Sequence, residues 1–480
     1  MLLVALAMAL SVFGAPAPVS AADVSLPCDI YAAGGTPCVT AHSTTRALFA
    51  SYNGPLYQIQ RSSDRSYRDI GVLAPGGYAD GASQVSFCAG TSCTITKIYD
   101  QTAKHNDMPI SWGGYWKGPG PNGSDVGADA MALPVTAAGH QVFGVKVTPG
   151  VGYRLDHANG VPTGAQPEGI YMVTSSNYTS QWCCFDYGSG ENSHTDTGNA
   201  TMNAIYWGTA CWFGGCTGSG PWVEADLENG MFHTNTGSNK DPNNQGVHYP
   251  FVSAWLKNNG TSNFTLKYGN GTSGGLTTTF SGPLPNGYSP MKVDSSVLLG
   301  TGGDNSPNGV GEFFEGAMTA GYPSDATENA VQAAITAAGY GTGSGGGGTT
   351  GALHAVGAAK CLEVPGSSTT PGTQAQIRDC SGAANQTWSQ SVSHELSVVS
   401  LGGSRLCLDA SGQGTSPGTK VITWTCNGQS NQQWTLNADG TVTAAQSGLC
   451  LDVSGAATAN GSLVQLWTCN GGSNQKWSLI

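Results

Sequence analysis

The chain has 480 residues, 18 Lys+Arg against 30 Asp+Glu, and a formal charge of −12. Only 10% of its residues are charged, against about 25% in an ordinary soluble domain, so the basic face of a nucleic-acid binder is missing. Its 12 Trp, 17 Tyr and 12 Phe give it too much to bury for a disordered chain, and its 71 Gly suit many short strands joined by tight turns.

Residues 1–14 form an apolar run. Small residues at Val19-Ser20-Ala21-Ala22 fit a signal-peptidase site, although no Lys or Arg precedes the run. The run falls short of the ~20 apolar residues that a membrane span needs. Residues 1–22 are therefore read as the signal peptide of a secreted, extracellular protein, with neither a membrane nor a nucleic acid as partner. The 14 Cys, an even number, suit that oxidising compartment.

Residues 23–340 read mostly as strands and loops, as in the β-prone stretch Gly169 to Ser176. The segment Gly220 to Phe232, GPWVEADLENGMF, splits by a period of two. Val223, Ala225 and Leu227 point one way; Trp222, Glu224, Asp226 and Glu228 point the other. Three carboxylates on one strand face repel each other and add nothing to stability. They point to a groove in which crowding raises at least one pKa. Further on, an apolar strand runs into a Gly-rich turn with Asp304 at its exposed point. Gly302 and Gly303 permit a close backbone approach, although such a turn taken alone is often only a turn. The strongest helical pattern is Thr327 to Tyr340, with Val331, Ile335 and Ala338 on one face.

Cys28/Cys38, Cys88/Cys93 and Cys211/Cys216 fit short disulfide loops, though sequence does not fix connectivity. With six more Cys in the C-terminal repeat, the neighbours Cys183 and Cys184 remain. Their Cα atoms lie about 3.8 Å apart across a trans peptide, less than the about 4.4–6.8 Å of usual bridges. A Cys183-Cys184 ring would offer a rigid apolar surface to a sugar; other pairings and free thiols stay open. His105, His157 and His233 show no metal-ligand spacing, so neither a metal nor a cofactor is expected.

The stretch Gly341 to Gly351, GTGSGGGGTTG, has almost no side chains to pack and reads as a flexible linker. Residues 352–480 then repeat. The pairs Cys361/Cys380, Cys407/Cys426 and Cys450/Cys469 share one spacing, and each is followed by Asn-Gln-x-Trp, ending at Trp388, Trp434 and Trp477. This triple pattern resembles the ricin B-type lectin family, a β-trefoil used to bind carbohydrate. Those three Trp are expected in the core. The resemblance implies sugar contacts at other positions. The third repeat has the full set, Asp452, Gln465, Trp467, Asn474 and Gln475. The second has Asp409, Trp424, Asn431 and Gln432, with Ile422 in the place of Gln465. The first has Glu363, Gln376, Asn385 and Gln386, with Arg378 in place of the aromatic. The expected order of strength is third, second, first.

A binding module on a tether suggests an enzyme acting on the same polymer. CDIYAAGGTPCVTAHSTTRALFASYNGPLYQIQR, IYDQTAKHNDM, CCFDYG, ADLENG, GGDNS and FFEGAMTAGYPSDATENAVQ occur in order between Asp23 and Tyr340. This set resembles glycoside hydrolase family 54, the α-L-arabinofuranosidases. The resemblance implies a jelly-roll-like β-sandwich and hydrolysis with retention. Glu228 would be the nucleophile and Asp304 the acid/base. The Cys183-Cys184 disulfide would lie against the arabinose, with Asp226 and Asn229 among the sugar-binding positions; Trp222 and Gly303 are added as candidate contacts. The carboxyls of a retaining pair sit about 5–5.5 Å apart, those of an inverting pair about 6.5–9.5 Å. A monomer acting on plant cell-wall polysaccharide, arabinoxylan or arabinan, is expected. Many fungal members carry a different, arabinose-binding trefoil, so xylan, galactose-type sugars and arabinan all remain candidate trefoil ligands. Two other readings stand beside this one. Glu224, Asp226 and Glu228 resemble the E-x-D-x-E run of jelly-roll β-glucanases, which would pair Glu224 with Glu228. A catalytically silent lectin is the third.

Overall fold

The computed structural model describes residues 25–236, 242–341, 350–390, 395–401, 404–427, 429–437 and 439–479. The expected signal peptide and residues 342–349 of the expected linker lie outside the described residues.

Two antiparallel sheets build the sandwich of the N-terminal domain, with a four-stranded and a two-stranded sheet besides. One runs Cys38–Ser43, Gly311–Ala320, Glu168–Thr174, Val252–Asn258, Asn263–Asn270, Ser273–Pro283, with Val145–Val147 beside the second of these. The other runs Met231–Phe232, Trp222–Asp226, Asn203–Gly208, Asp186–Gly190, Ser296–Leu299, Tyr153–Leu155. Apolar side chains from the two inner faces meet, as in other sandwiches. Tyr187 of the second sheet packs on Phe313 of the first at 5.2 Å between rings, and the Trp207 indole donates to the Ser175 carbonyl at 2.8 Å. Alternation then decides what faces outward. Ile205, Trp207, Val223 and Ala225 are buried in the common core, so Ala204, Tyr206, Glu224 and Asp226 lie on the opposite face.

The helix Asp325–Thr336 closes one side of this domain. Ser324 caps it, accepting from the Thr327 N–H at 3.1 Å, and Val331 and Ile335 are buried beneath it. Lys257 and Lys267 reach from two neighbouring strands to Asp325 and Glu328 in its first turn. Ala338 lies beyond the helix yet is buried as expected. Two helices occur where the sequence suggested only strands and loops, Pro27–Ala33 and Gly81–Phe87. Each has seven residues, too few turns to show a periodicity. Their signals are local: Pro27 opens the first, and the Asp80 carboxylate accepts from the Ser83 N–H in the second.

Residues 350–479 form the β-trefoil. Trp388, Trp434 and Trp477 are buried, and each indole N–H donates at 2.9 Å to the carbonyl of Leu362, Leu408 or Leu451. One hydrogen bond, repeated three times, thus ties each lobe to its core. All seven disulfides are formed: Cys28–Cys38, Cys88–Cys93, Cys183–Cys184, Cys211–Cys216, Cys361–Cys380, Cys407–Cys426 and Cys450–Cys469. The Cys183-Cys184 peptide is cis, not trans, and brings the two Cα atoms to 3.0 Å. The protein is all-β, as the composition implied. No described helix is long and apolar enough to cross a membrane.

One buried ion pair anchors the seven-stranded sheet. Arg46 grips Glu315 with two bonds, Nε to Oε2 at 2.6 Å and Nη2 to Oε1 at 2.7 Å. The Tyr340 and Tyr171 hydroxyls also donate to this carboxylate. Removing one partner of a buried pair leaves an uncompensated charge. Arg46→Ala is expected to cost about 3–5 kcal/mol in urea unfolding of this domain. A loss below about 1 kcal/mol would contradict that account.

Candidate active site

A cavity of about 400 Å³ opens on the outer face of the six-stranded sheet. Glu228, Asp304, Cys183, Cys184, Asp226, Asn229 and Gly303 all line it, although they come from three distant stretches of chain. Trp222 does not. Its indole N–H is tied to the Thr217 carbonyl at 2.7 Å and the residue is buried, so the strand's alternation placed it on the right face but beyond the cavity. Glu224 is fully buried and also outside the lining, beside Cys216 Sγ at 3.7 Å. The pairing of Glu224 with Glu228 that a β-glucanase needs is therefore not built here.

Glu228 leaves the strand in a turn of its own. Glu228 and Asn229 both have left-handed backbones, φ 66° and 55°, a conformation that costs non-glycine residues energy. The turn is held from both sides. The Asp226 carboxylate accepts from the Glu228 N–H at 3.0 Å, and the Tyr288 hydroxyl donates to the carbonyls of Glu228 and Asn229.

Asp304 sits on the turn after the strand Ser296–Leu299. Its Oδ1 accepts from the Ser306 N–H at 3.0 Å and from the Ser306 hydroxyl. Arg154 donates from Nη1 to the Gly303 carbonyl at 2.6 Å and is itself held by Asp156 at 3.0 Å. Asn305 ties the turn to Asp125 at 3.1 Å. Space is short at both glycines: a Cβ on Gly303 would come within 2.0 Å of Glu191 Oε2, and one on Gly302 within 2.9 Å of Ser306 Oγ and 3.1 Å of Cys184 Sγ. The disulfide is joined to this turn by the bonds Cys184 N–H to Ser306 and Asn308 N–H to Cys183.

Sequence reasoning missed Glu191 and Asp186. Both are fully buried. Glu191 accepts from the Thr201 hydroxyl at 2.7 Å and stands near enough to Glu228 to disfavour its charge. Burial first, then Asp226 and Glu191, push the Glu228 carboxyl far above the usual range. Burial and Asp226 likewise raise Asp186 and Glu224. The crowding expected from the sequence is real, but most of its partners come from a strand and loop of unremarkable pattern. Trp116, Trp182 and Trp212 were also missed. Two of them carried a signal: Trp182 precedes the Cys pair, and Trp212 lies inside the Cys211–Cys216 loop.

Two groups, Cys183–Cys184–Asp226 and Cys216–Glu224–His233, have metal-ligand proximity. Their cysteines are all disulfide-bonded, so they offer no thiolate.

In the trefoil, a cavity of about 320 Å³ lies at the second lobe, lined by Asp409, Ile422, Trp424 and Asn431. Asn431 and Gln432 both donate to Asp409 Oδ2, at 2.8 and 2.9 Å. Asn474 and Gln475 repeat this on Asp452, where Gln465 adds a bond to Oδ1 at 3.3 Å. Gln432 and Gln475 are fully buried, and their oxygens accept from Asn427 and Asn470 N–H groups. They orient the carboxylate and have no free face for a ligand, contrary to the expected direct contact. Trp424 and Trp467 are exposed platforms. In the first lobe Gln376, Asn385 and Gln386 all donate to Glu363, and Arg378 stands 4.0 Å from it.

A β-sandwich with paired carboxyls in an aromatic-walled cavity, followed by a sugar-binding trefoil, is the build of a two-domain glycoside hydrolase. The family profile for the catalytic domain of α-L-arabinofuranosidase B matches residues 27–341, and that for the ricin-type β-trefoil lectin domain matches 349–477. A probable α-L-arabinofuranosidase B of Aspergillus fumigatus is 48% identical over 73% of this chain and 68% of its own length. The α-L-arabinofuranosidase B of Emericella nidulans is 50% identical over 66% of this chain and 62% of its own. Among solved structures, a GH54 α-L-arabinofuranosidase soaked with a cyclic sulfate inhibitor aligns over 95% of this chain and 99% of its own, with 32% identity and a TM-score of 0.65. An arabinofuranosidase complexed with arabinofuranosyl-α-1,2-xylobiose aligns over 95% and 98%, with the same identity and score. The chain belongs to the GH54 α-L-arabinofuranosidase family and carries a ricin-type lectin domain behind the catalytic one.

The buried carboxyl under the Asp304 turn sets a pH dependence of stability. Burial pushes Asp125 up to about 7, against about 3.9 in an unfolded chain. Between those values the folded state keeps a proton that the unfolded state has released. The stability this group contributes is therefore full below about pH 4 and lost as pH rises through 7. Asp125→Asn is expected to flatten the fall in Tm from pH 4 to 8. An unchanged slope would contradict it.

Proposed function

We propose that this chain is a secreted enzyme that removes terminal, non-reducing α-L-arabinofuranosyl groups from arabinoxylan or arabinan with retention of configuration, and that its trefoil holds it on the polymer. The observation that carries the reading is the single cavity lined by Glu228, Asp304 and the Cys183–Cys184 disulfide.

In this reading a Glu228 oxygen attacks the anomeric carbon, and the bond to the leaving oxygen breaks as Asp304 gives that oxygen its proton. A water then attacks the arabinosyl-enzyme, passes a proton to Asp304 and frees Glu228. Asp226 fixes the turn that aims Glu228, and Asn229 stands exposed beside it for a sugar hydroxyl. The disulfide gives the ring's apolar face a surface. Crowding that disfavours an ionised Glu228 in the empty cavity is offset when positive charge develops at the anomeric carbon.

Glu228→Gln is expected to lower kcat on p-nitrophenyl α-L-arabinofuranoside at least about 10³-fold. Asp304→Asn is expected to lose about 10²–10⁴-fold on polymer and less on the aryl substrate, whose leaving group needs no proton. Proton NMR of the first product should show the α-anomer. The β-anomer, or a Glu228→Gln protein that keeps its rate, would overturn the scheme.

For the trefoil, Trp424→Ala and Trp467→Ala are expected to weaken retention on insoluble arabinoxylan while hydrolysis of the soluble aryl arabinoside holds. Equal loss of both would contradict an independent binding module.

A further inference from the structure

The loop Trp112–Trp116 carries three large aromatic side chains that the catalytic scheme does not use as a set. Trp112 is 66% exposed, Tyr115 68% and Trp116 51%. Soluble proteins seldom leave such rings clustered in water without a ligand for them. Nor is the loop loosely placed. The Trp112 indole donates to Asp156 at 3.0 Å. The Tyr115 N–H donates to the His194 carbonyl at 2.8 Å and the Gly114 N–H to the Trp116 carbonyl at 3.0 Å. The rings of Tyr115 and Trp116 meet edge to face at 5.4 Å. The backbone is fixed by hydrogen bonds while the rings stay more than half exposed, which is the build of a preformed platform.

Its position decides what the platform faces. The Trp116 N–H donates to the carbonyl of Asp304 at 3.2 Å, and Trp116 is part of the cavity wall. A Cβ on Gly114 would fall within 2.8 Å of that same carbonyl. The loop thus abuts the residue proposed to protonate the leaving oxygen. Whatever sugar carries that oxygen must lie on this side of the cavity.

We infer that the Trp112–Trp116 loop is the subsite for the polysaccharide backbone bearing the arabinosyl group, and that it favours a backbone of pyranose rings over one of furanose rings. This rests on the arabinofuranosidase reading and adds the backbone class to it. A β-linked pyranose presents flat C–H faces that stack on indole and phenol rings, whereas a five-membered ring is puckered and offers less flat area.

The test is kcat/KM of wild type, Tyr115→Ala and Tyr115→Trp on three substrates: an arabinosyl-substituted xylo-oligosaccharide, a branched arabino-oligosaccharide and p-nitrophenyl α-L-arabinofuranoside. Tyr115→Ala should lower the ratio of xylo-oligosaccharide to aryl activity about tenfold, the equivalent of about 1.4 kcal/mol of stacking. Its ratio of arabino-oligosaccharide to aryl activity should stay within about twofold, and Tyr115→Trp should keep both ratios. A xylo-oligosaccharide ratio unmoved in Tyr115→Ala would overturn the subsite. An equal fall on both oligosaccharides would overturn the preference for pyranose. A wild type inert on all three would instead overturn the activity on which the inference stands.

Discussion

Carboxyls that would repel one another must be kept side by side, out of water, and still leave one free to act. Asp186, Glu191, Asp226 and Glu228 are all buried on one face of one sheet and its adjoining loops. Register does part of the work. Asp186 and Glu224 both stand opposite Tyr206, while Asp226 stands opposite Ala204, on the two sides of the strand Asn203–Gly208. The small residue at 204 leaves room above the sheet where a larger one would fill it. Burial does the rest: it disfavours the ionised forms of Asp186, Asp226 and Glu228, and their neighbouring carboxyls add to the effect. The apolar core on the other face, built from Ile205, Trp207, Val223 and Ala225, keeps these strands from shifting to relieve the crowding.

The two turns that carry Glu228 and Asp304 answer that constraint in different ways. Glu228 and Asn229 adopt a backbone that side chains disfavour, held by Tyr288 and Asp226. The Asp304 turn instead uses glycine, because Gly303 touches Glu191 and Gly302 touches the disulfide. Arg154 binds this turn through its carbonyls and takes its own charge balance from Asp156. The guanidinium thus sets the position of Asp304 without pairing directly with the carboxyl it positions.

Much of this was legible in the chain as written. The alternation of Val223, Ala225 and Leu227 with Glu224 and Asp226 predicted the faces correctly, because a strand's period of two is a property of the backbone. The triple Cys and Trp pattern, through its repeat and its resemblance to ricin-type lectins, placed the trefoil's core Trp residues. What alternation could not say is where along the face the cavity ends, so Trp222 was included when the fold leaves it outside. Glu191 and Asp186 were invisible because nothing local marks them; their meaning comes from strands paired across long sequence distances. Gln432 and Gln475 show the reverse error, in which the motif was clear but its direction inward was not. The seven-residue helices were missed for want of length.

Tyr340, finally, is the last large side chain before the chain passes toward the trefoil. It is fully buried, stacked on Phe251 with ring centres 5.0 Å apart and bonded to Glu315. The next residue, Gly341, donates to Thr136 at 2.8 Å. A load on the trefoil would enter the catalytic domain at this point. Glu315 is held by Arg46, which joins this point both to the strand Gly311–Ala320 and, through the Ala334 carbonyl, to the helix Asp325–Thr336. The domain is moored like a ship by its keel, through the seven-stranded sheet and not the six-stranded one whose outer face carries the cavity.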